Sequence, residues 1–277
     1  MERSWNYLRT TKNELIMNYE NIFRLDKKLV FVLGGSGYIG QEVVKGLLAS
    51  GAKVVVLDKY KINFPGIVKF YSINFESTTS YKKKIISSFK KFGTPDILIN
   101  TSYPKSKDWK FSKSETLKLG SLEKNIKIHL NSYLWIMNST AIYMKRAKIN
   151  GSIINLSSMY GIVSQDPEVY KNTNKSENVI YSAIKGGINS FSKQLAVIYG
   201  KHNIRVNTIC PGGVINKKDY KKLKINKNFR RNYFRKSPIK RFATTHDVAC
   251  ATIFLSSDAS KYITGTNLTL DGGWTAL

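Results

Sequence analysis

The sequence predicts an α/β protein built on a parallel sheet, and three observations carry that expectation. Short runs that are apolar at every position alternate with longer stretches of 3.6-residue apolar period along most of the chain. Runs such as Leu29–Leu33 are too short for helices and lack the in–out alternation of a half-solvated strand, which is how strands covered on both faces read. The first of them opens directly into a glycine-rich turn that leads into an amphipathic helix.

Residues 1–20 show no clear apolar period and are expected to form an extension, with one domain over 21–277. Leu29–Leu33 is the first strand. The turn Gly34-Gly35-Ser36-Gly37-Tyr38-Ile39-Gly40 follows, and the helix after it carries Ile39, Val43, Val44, Leu47 and Leu48 on one side before Gly51 stops it. A second strand over 54–57 ends at Asp58. A third is expected over 70–73, a helix over 80–92, and a fourth strand over 96–100 ending at Asn100. Residues 122–147 read as one long helix containing Asn131, an uncomfortable residue inside a helix unless it bonds something. A fifth strand ends at Ser157-Ser158. Polar and aromatic residues 165–179 lead into a helix that runs from Tyr181 to Gly200, and a sixth strand ends in Cys210-Pro211-Gly212. After a basic, aromatic stretch come a helix over 245–256 and a last strand over 267–270.

The first of these units carries its own chemistry. Strand, glycine turn, helix, strand and acid in that order form a dinucleotide-binding arrangement: glycines let the backbone approach a pyrophosphate, whose charge sits at the helix N-terminus. A carboxylate at the tip of the second strand accepts hydrogen bonds from ribose hydroxyls and repels a 2′-phosphate, so Asp58 argues for NAD over NADP. Lys59 beside it argues the other way, since a basic residue can meet that phosphate.

Tyr181 and Lys185 form the second constellation. Four residues apart on a helix, the phenol and the ammonium share a face. A phenol titrates near about 10, and an ammonium about 4 Å away at an effective dielectric of about 20 favours the phenolate by roughly 4 kcal/mol. Tyr181 is therefore expected to trade a proton near neutral pH. Tyr103/Lys107 and Tyr220/Lys224 repeat the spacing, but only Tyr181 lies between two strands and downstream of Ser158; the others read as exposed pairs.

Composition narrows the class. A hydrophobic content of 42 % over 277 residues suffices for one large domain or two small ones. Nothing approaches the roughly 20 apolar residues of a membrane span, and no apolar cleavable leader is evident. Two cysteines, Cys210 and Cys250, both in apolar surroundings, make no disulfide framework and suggest a reducing cytoplasm. His129, His202 and His246 are scattered and suggest no metal; each reads as structural or exposed. The net charge of +27 invites a nucleic-acid reading, but lysine is spread over most helices and no nucleic-acid motif accompanies it. The one dense block, 217–241, suits an anionic small-molecule substrate or a merely solvated surface.

With the glycine turn, Ser158, Tyr181-x-x-x-Lys185 and Pro211-Gly212 in that order, the chain from about Asn21 onward resembles the short-chain dehydrogenase/reductase family. The resemblance implies a single Rossmann domain with a seven-stranded parallel sheet, assembled as a homodimer or homotetramer. It implies that Tyr181 is the catalytic acid/base, Lys185 its ribose-binding partner, Ser158 the group orienting the substrate carbonyl, and Asn131 the holder of a relay water. For the cofactor it implies Gly34, Ser36, Gly37, Tyr38, Ile39 and Gly40 in the turn, Asp58 and Lys59 at the ribose, Asn74 and Phe75 near the adenine. Asn100 matches the end of the fourth strand, and Pro211, Gly212 and Val214 the segment against the nicotinamide. Departures stand beside these matches. The glycine spacing is that of the extended branch, which includes sugar-nucleotide epimerases, while Ile263-Thr264-Gly265 and Asp271-Gly272-Gly273 look like the ordinary oxidoreductase branch. Asn74 replaces an Asp, Thr101-Ser102-Tyr103 replaces Asn-Ala-Gly, and Asn216 stands where a Thr is expected.

Ser158 and Tyr181 lie 23 residues apart, more than in most relatives, so an insertion over 166–178 is expected beside the substrate. With Ser158-Met159-Tyr160-Gly161 it is partly similar to dehydrogenases of bacterial surface-sugar and nonulosonate pathways. The block at about 214–241 falls where the family keeps a substrate lid. The expectation is hydride transfer between NAD and a secondary alcohol or ketone, on a sugar or sugar derivative that carries an acid or phosphate. The rival readings are an epimerase or dehydratase with permanently bound NAD, and a non-enzymatic dinucleotide sensor.

Overall fold

The computed structural model describes residues 19, 21–109, 112–173, 175–215 and 226–277. The expected extension lies outside these residues apart from Tyr19, as do Asn216, Tyr220 and Lys224. Nine strands are described: β1 (Leu29–Leu33), β2 (Lys53–Asp58), β3 (Val68–Ser72), β4 (Ile97–Asn100), β5 (Ser152–Leu156), β6 (Arg205–Pro211), β7 (Val214–Ile215), β8 (Ala243–Thr244) and β9 (Asn267–Leu270). Seven pair in parallel in the order β3-β2-β1-β4-β5-β6-β9, the expected doubly wound sheet. β7 and β8 form a separate two-stranded ladder.

The uniform apolar runs are explained by the two covered faces. In β1, Val30 and Val32 point into one core with Val43, Val44 and Leu47 of α1 (Tyr38–Ala49). Phe31 and Leu33 point into the other, against Tyr81, Ile85 and Phe89 of α2 (Thr78–Phe92). Each run thus has no solvent side on which a polar residue would be free of cost.

The long helix expected over 122–147 is broken. α3 (Leu119–Asn125) gives way to a π-helical turn, Ile126–Leu130, before α4 (Asn131–Arg146). Its wider turn advances the helix register, so side chains on either side do not keep one α-helical face. α5 (Val179–Gly200) starts two residues before Tyr181 because Asn178 caps it, accepting a hydrogen bond from the Tyr181 N–H at 2.9 Å. In the basic segment, α6 (Lys227–Arg235) was not expected. α7 (Thr245–Ser256) opens with a capping box between Thr244 and Asp247 and packs with α1 on one face of the sheet. Cys210 is buried, but Cys250 is exposed on α7, 3.5 Å from His246, which corrects its expected apolar setting. Among the described residues no helix is long and apolar enough to cross a membrane, and no cluster of His, Cys, Asp and Glu suits a metal ion.

Candidate functional site

The sheet order reverses between β1 and β4, and there the C-terminal strand ends splay around a groove of about 520 Å³, ample for a small-molecule cofactor. Its floor is the glycine turn. Gly34 has φ +71°, and a Cβ there would lie 2.7 Å from the Ser102 Cα, so only glycine lets β1 and the loop after β4 touch. A Cβ on Gly40 would overlap the Gly34 carbonyl. Gly37 caps α1 without any side chain, leaving the first-turn N–H groups to meet an anion in the groove. Gly34, Gly37, Tyr38 and Ile39 line the groove; Gly40 and Ser36 stand behind it and shape the turn.

At the tip of β2 the Asp58 carboxylate accepts from the backbone N–H groups of Ser36 (3.0 Å) and Lys59 (2.6 Å). Ser36 in turn donates its hydroxyl to the Tyr60 carbonyl at 2.6 Å, so the turn and the strand tip are braced together. Lys59 faces Glu76, 3.8 Å away. Asn74 and Phe75 line the same end, with Asn74 turned inward by accepting from the Glu76 N–H. Pro211, Gly212 and Val214 form the far wall. Asn100 does not reach the groove. It is fully buried, and its Oδ1 accepts from the N–H (3.1 Å) and hydroxyl (2.6 Å) of Ser102, tying down the loop after β4.

Ser158, Tyr181 and Lys185 converge beside this groove. Ser158 follows β5 with extended backbone and is buried; its hydroxyl accepts from the Tyr160 N–H at 3.1 Å and favours the ionised form of the neighbouring Tyr181 phenol. Lys185 Nζ lies 5.7 Å from the Tyr181 ring centre and donates to the Leu156 carbonyl at 2.8 Å. The expected lowering of the phenol is corrected here. Burial pushes Tyr181 up, opposed by the Ser158 hydrogen bond. Burial likewise brings Lys185 down to about 7. Desolvation penalises each charge and is the largest influence on both groups.

Two further expectations are overturned by geometry. Asn131 is exposed and faces a different hollow, with Thr78, Tyr81, Lys82 and Trp135. The side chain of this helix that points to the cluster is His129, two residues earlier and therefore on nearly the opposite side. Tyr103 is exposed, as expected, but it is not on a helix: its ring meets Tyr181 edge-on at 6.0 Å and lines the groove. Trp109 adds a second edge-on contact to Tyr181 at 6.3 Å. His129 could have been found by asking what an Ile-His-Leu sequence does inside an otherwise apolar helix face; Tyr103 and Trp109 sit in a loop and left no periodic signal.

Beyond Ser158 lies a third, aromatic cluster. Met159, Val169, Ile215, Tyr233, Phe242 and Trp274 are buried together, with Tyr160, Tyr170 and Phe229 packed on them. The insertion is pinned to α6. Asn228 donates to the Asn172 carbonyl (3.0 Å), Asn232 to the Lys171 carbonyl (3.1 Å), and Lys236 pairs with Asp166 at 2.5 Å. Arg241 pairs with Asp247 at 2.7 Å, and Lys240 donates to the Phe234 carbonyl. These basic residues of the dense block are engaged within the protein.

Known proteins bear on this geometry. A family model described as Enoyl-(Acyl carrier protein) reductase matches residues 37–275. Post-translational flagellin modification protein A of Campylobacter coli is 28 % identical over 267 residues, covering 90 % of this chain and 99 % of that protein. D-arabinitol 2-dehydrogenase [ribulose-forming] of Candida tropicalis is 28 % identical over 285 residues, covering 93 % and 96 %. A short-chain dehydrogenase from Leptospira borgpetersenii, solved with bound NAD+, superposes with a TM-score of 0.79 at 29 % identity, covering 91 % of this chain and 94 % of that one. The seven-stranded sheet, the glycine groove at its switch point and a match over nearly the whole domain agree: the chain belongs to the short-chain dehydrogenase/reductase family and is an NAD(P)-dependent oxidoreductase.

Proposed function

We propose that the protein transfers hydride between NAD and a secondary alcohol or ketone on a sugar-like polyol. The observation that carries the reading is the convergence of Ser158, Tyr181 and Lys185 on a dinucleotide-shaped groove. The groove residues fit the cofactor: a side-chain-free helix N-terminus for the pyrophosphate, Asp58 for the ribose, and Pro211 to Val214 for the nicotinamide end. Bound there, the nicotinamide supplies the hydride acceptor or donor. Ser158 donates to the substrate oxygen and holds it near the Tyr181 phenol. Tyr181 takes the hydroxyl proton in oxidation and returns it in reduction, and Lys185 orients the ribose and supports the phenolate. The aromatic wall excludes water from the reacting carbon.

NAD is favoured over NADP because Asp58 is held at the strand tip by three backbone N–H groups, those of Ser36, Lys59 and Tyr60, while Lys59 is engaged with Glu76. A sugar-like alcohol is supported by a relative named as a D-arabinitol dehydrogenase, and a surface-sugar role by a relative named for flagellin modification. Neither rival reading, epimerase or sensor, gains support. An acidic or phosphorylated substrate, a lid over about 214–241, an extension over 1–20 and a cytoplasmic location belong to the same proposal. So does a homodimer or homotetramer, which the exposed Trp135, Val197 and Ile198 on α4 and α5 favour.

The test is NADH formation against a panel of polyols, sugars and sugar phosphates, run beside Tyr181→Phe. Turnover should fall by about 10²–10⁴-fold in the variant, with NAD affinity retained. Undiminished turnover would sink the assignment.

A further inference from the structure

We propose that Tyr103 is a positioning residue for Lys185: its ring, with that of Tyr133, supplies the π faces that hold the buried ammonium beside Tyr181, where no carboxylate does so. The proposal rests on the roles of Tyr181 and Lys185 given above.

Lys185 is 3 % exposed, and an ammonium carries three donors. Among the described residues the Leu156 carbonyl, at 2.8 Å, is its hydrogen-bond acceptor, and the charges that act on it include no carboxylate. A buried charge so poorly compensated is costly. Rings make up the deficit. Lys185 Nζ lies 5.2 Å from the ring centre of Tyr133, 5.7 Å from that of Tyr181 and 5.9 Å from that of Tyr103. All three are within the roughly 6 Å at which a ring face attracts a cation, and the attraction is strongest where water is excluded.

Tyr103 stands where the resemblance expects a glycine, and it is the most exposed of the three rings, at the edge of the groove. Its loop is fastened on both sides of it. The Ser102 carbonyl accepts from the Tyr133 hydroxyl at 2.7 Å. The Ser106 N–H donates to Oδ1 of the fully buried Asn125 at 3.0 Å, and the Ser106 hydroxyl accepts from Asn125 Nδ2 at 2.7 Å. The rings of Trp109 (5.9 Å) and His129 (5.2 Å) meet Tyr103 edge-on and keep it from turning away. Tyr133 therefore does two things: its ring faces the ammonium, and its hydroxyl fixes the residue before Tyr103.

Burial brings Lys185 down to about 7, so a modest attraction decides how much of it is charged near neutral pH. The titratable groups around it are Tyr103 from the loop after β4, His129 from the π-helical turn, Tyr133 from α4, Tyr181 from α5 and Cys210 from β6. Burial pushes the three phenols and the thiol up and His129 down, so all five are uncharged near neutral pH. A ring face needs no ionisation to attract a cation.

The first test needs neither substrate nor cofactor. In protein carrying carbon-13 at the lysine ε-carbon, with Lys185→Met identifying the resonance, a pH titration reads the Lys185 ammonium directly. Tyr103→Leu keeps an apolar cover but removes the π face, and Lys185 should lose its proton roughly one pH unit lower. Tyr103→Phe keeps the face and should leave the titration where it is. The same midpoint in both variants, or a higher one in Tyr103→Leu, would show Tyr103 to be cover alone and overturn the proposal. The second test is kinetic. An ammonium lost more readily makes the Tyr181 phenolate harder to form, so the acid limb of kcat/KM for alcohol oxidation should move up in Tyr103→Leu and return in Tyr103→Phe. A Tyr103→Leu profile lowered at every pH without displacement would mark a merely structural residue. Turnover surviving in Tyr181→Phe would instead overturn the parent reading and leave the Tyr103–Lys185 contact standing.

Discussion

The two sides of the site are built in different ways. The dinucleotide side is made of backbone: a left-handed glycine, an uncapped helix start, and a carboxylate fastened by three amides at a strand tip. The substrate side is made of side chains, drawn from the loop after β4, the insertion, α6 and the C-terminal segment, and held by aromatic packing and a few exposed hydrogen bonds. Backbone construction tolerates almost no substitution and tells little about what is bound beyond its phosphates. Side-chain construction tolerates exchange and is where specificity can drift.

The sharpest way to break that contrast is Gly34→Val. The positive φ and the 2.7 Å approach to Ser102 predict loss of dinucleotide binding and a stability loss of roughly 3 kcal/mol, read by cofactor titration and urea unfolding. A folded, cofactor-binding variant would show the turn to be as pliant as the aromatic wall. Next comes Asp58→Ala, which removes a charged acceptor for the ribose. NAD should bind about 10-fold or more weaker while NADP gains, as equilibrium binding of both would show.

On the other side, Asp166→Ala frees the insertion from Lys236. The pair is largely exposed, so KM for the alcohol should rise only a few-fold, with NAD affinity and folding unmoved. A collapse of NAD binding would mean that the two sides are not separable. The smallest effect concerns Asp247, whose carboxyl the Arg241 hydrogen bond brings down to about 2. A depressed folded pKa contributes stability above the unfolded value of about 3.9, and that stability is lost as pH falls toward 2. Asp247→Asn should cost about 1 kcal/mol at pH 7 after allowance for solvent screening, and progressively less as pH falls through about 2, by thermal unfolding of both proteins.

The same contrast explains what could be read from the chain. β1 and α7 lie where the sequence puts them, because both faces of that strand and one side of that helix are buried, and β9 does so at the sheet edge with Leu268 and Leu270 only partly buried. The glycine turn was legible because its conformation admits few residues. The π-helical turn was not, since its residues would suit an ordinary helix, and the error carried Asn131 into a role that its exposed position denies it. α6 was hidden among Lys and Arg, although Phe229 and Tyr233 stand one turn apart and both face the aromatic cluster. Tyr103 and Trp109 belong to a loop, where contact depends on tertiary placement and no repeat announces it. The pairing of Tyr181 with Lys185 was visible, but its sign was not: four-residue spacing says the groups are close and says nothing of the burial that opposes both charges.

The reversal of strand order between β1 and β4 also sets a timetable. During synthesis the glycine turn leaves the ribosome 147 residues ahead of Tyr181, an interval on the order of ten seconds. β1 must wait for β4, and the groove's far wall waits for β6, whose own outer neighbour β9 lies almost at the end of the chain. A nascent chain therefore holds its phosphate turn before it holds anything that could use a hydride. A chain stopped before β9 would leave β6 as a strand edge awaiting a partner.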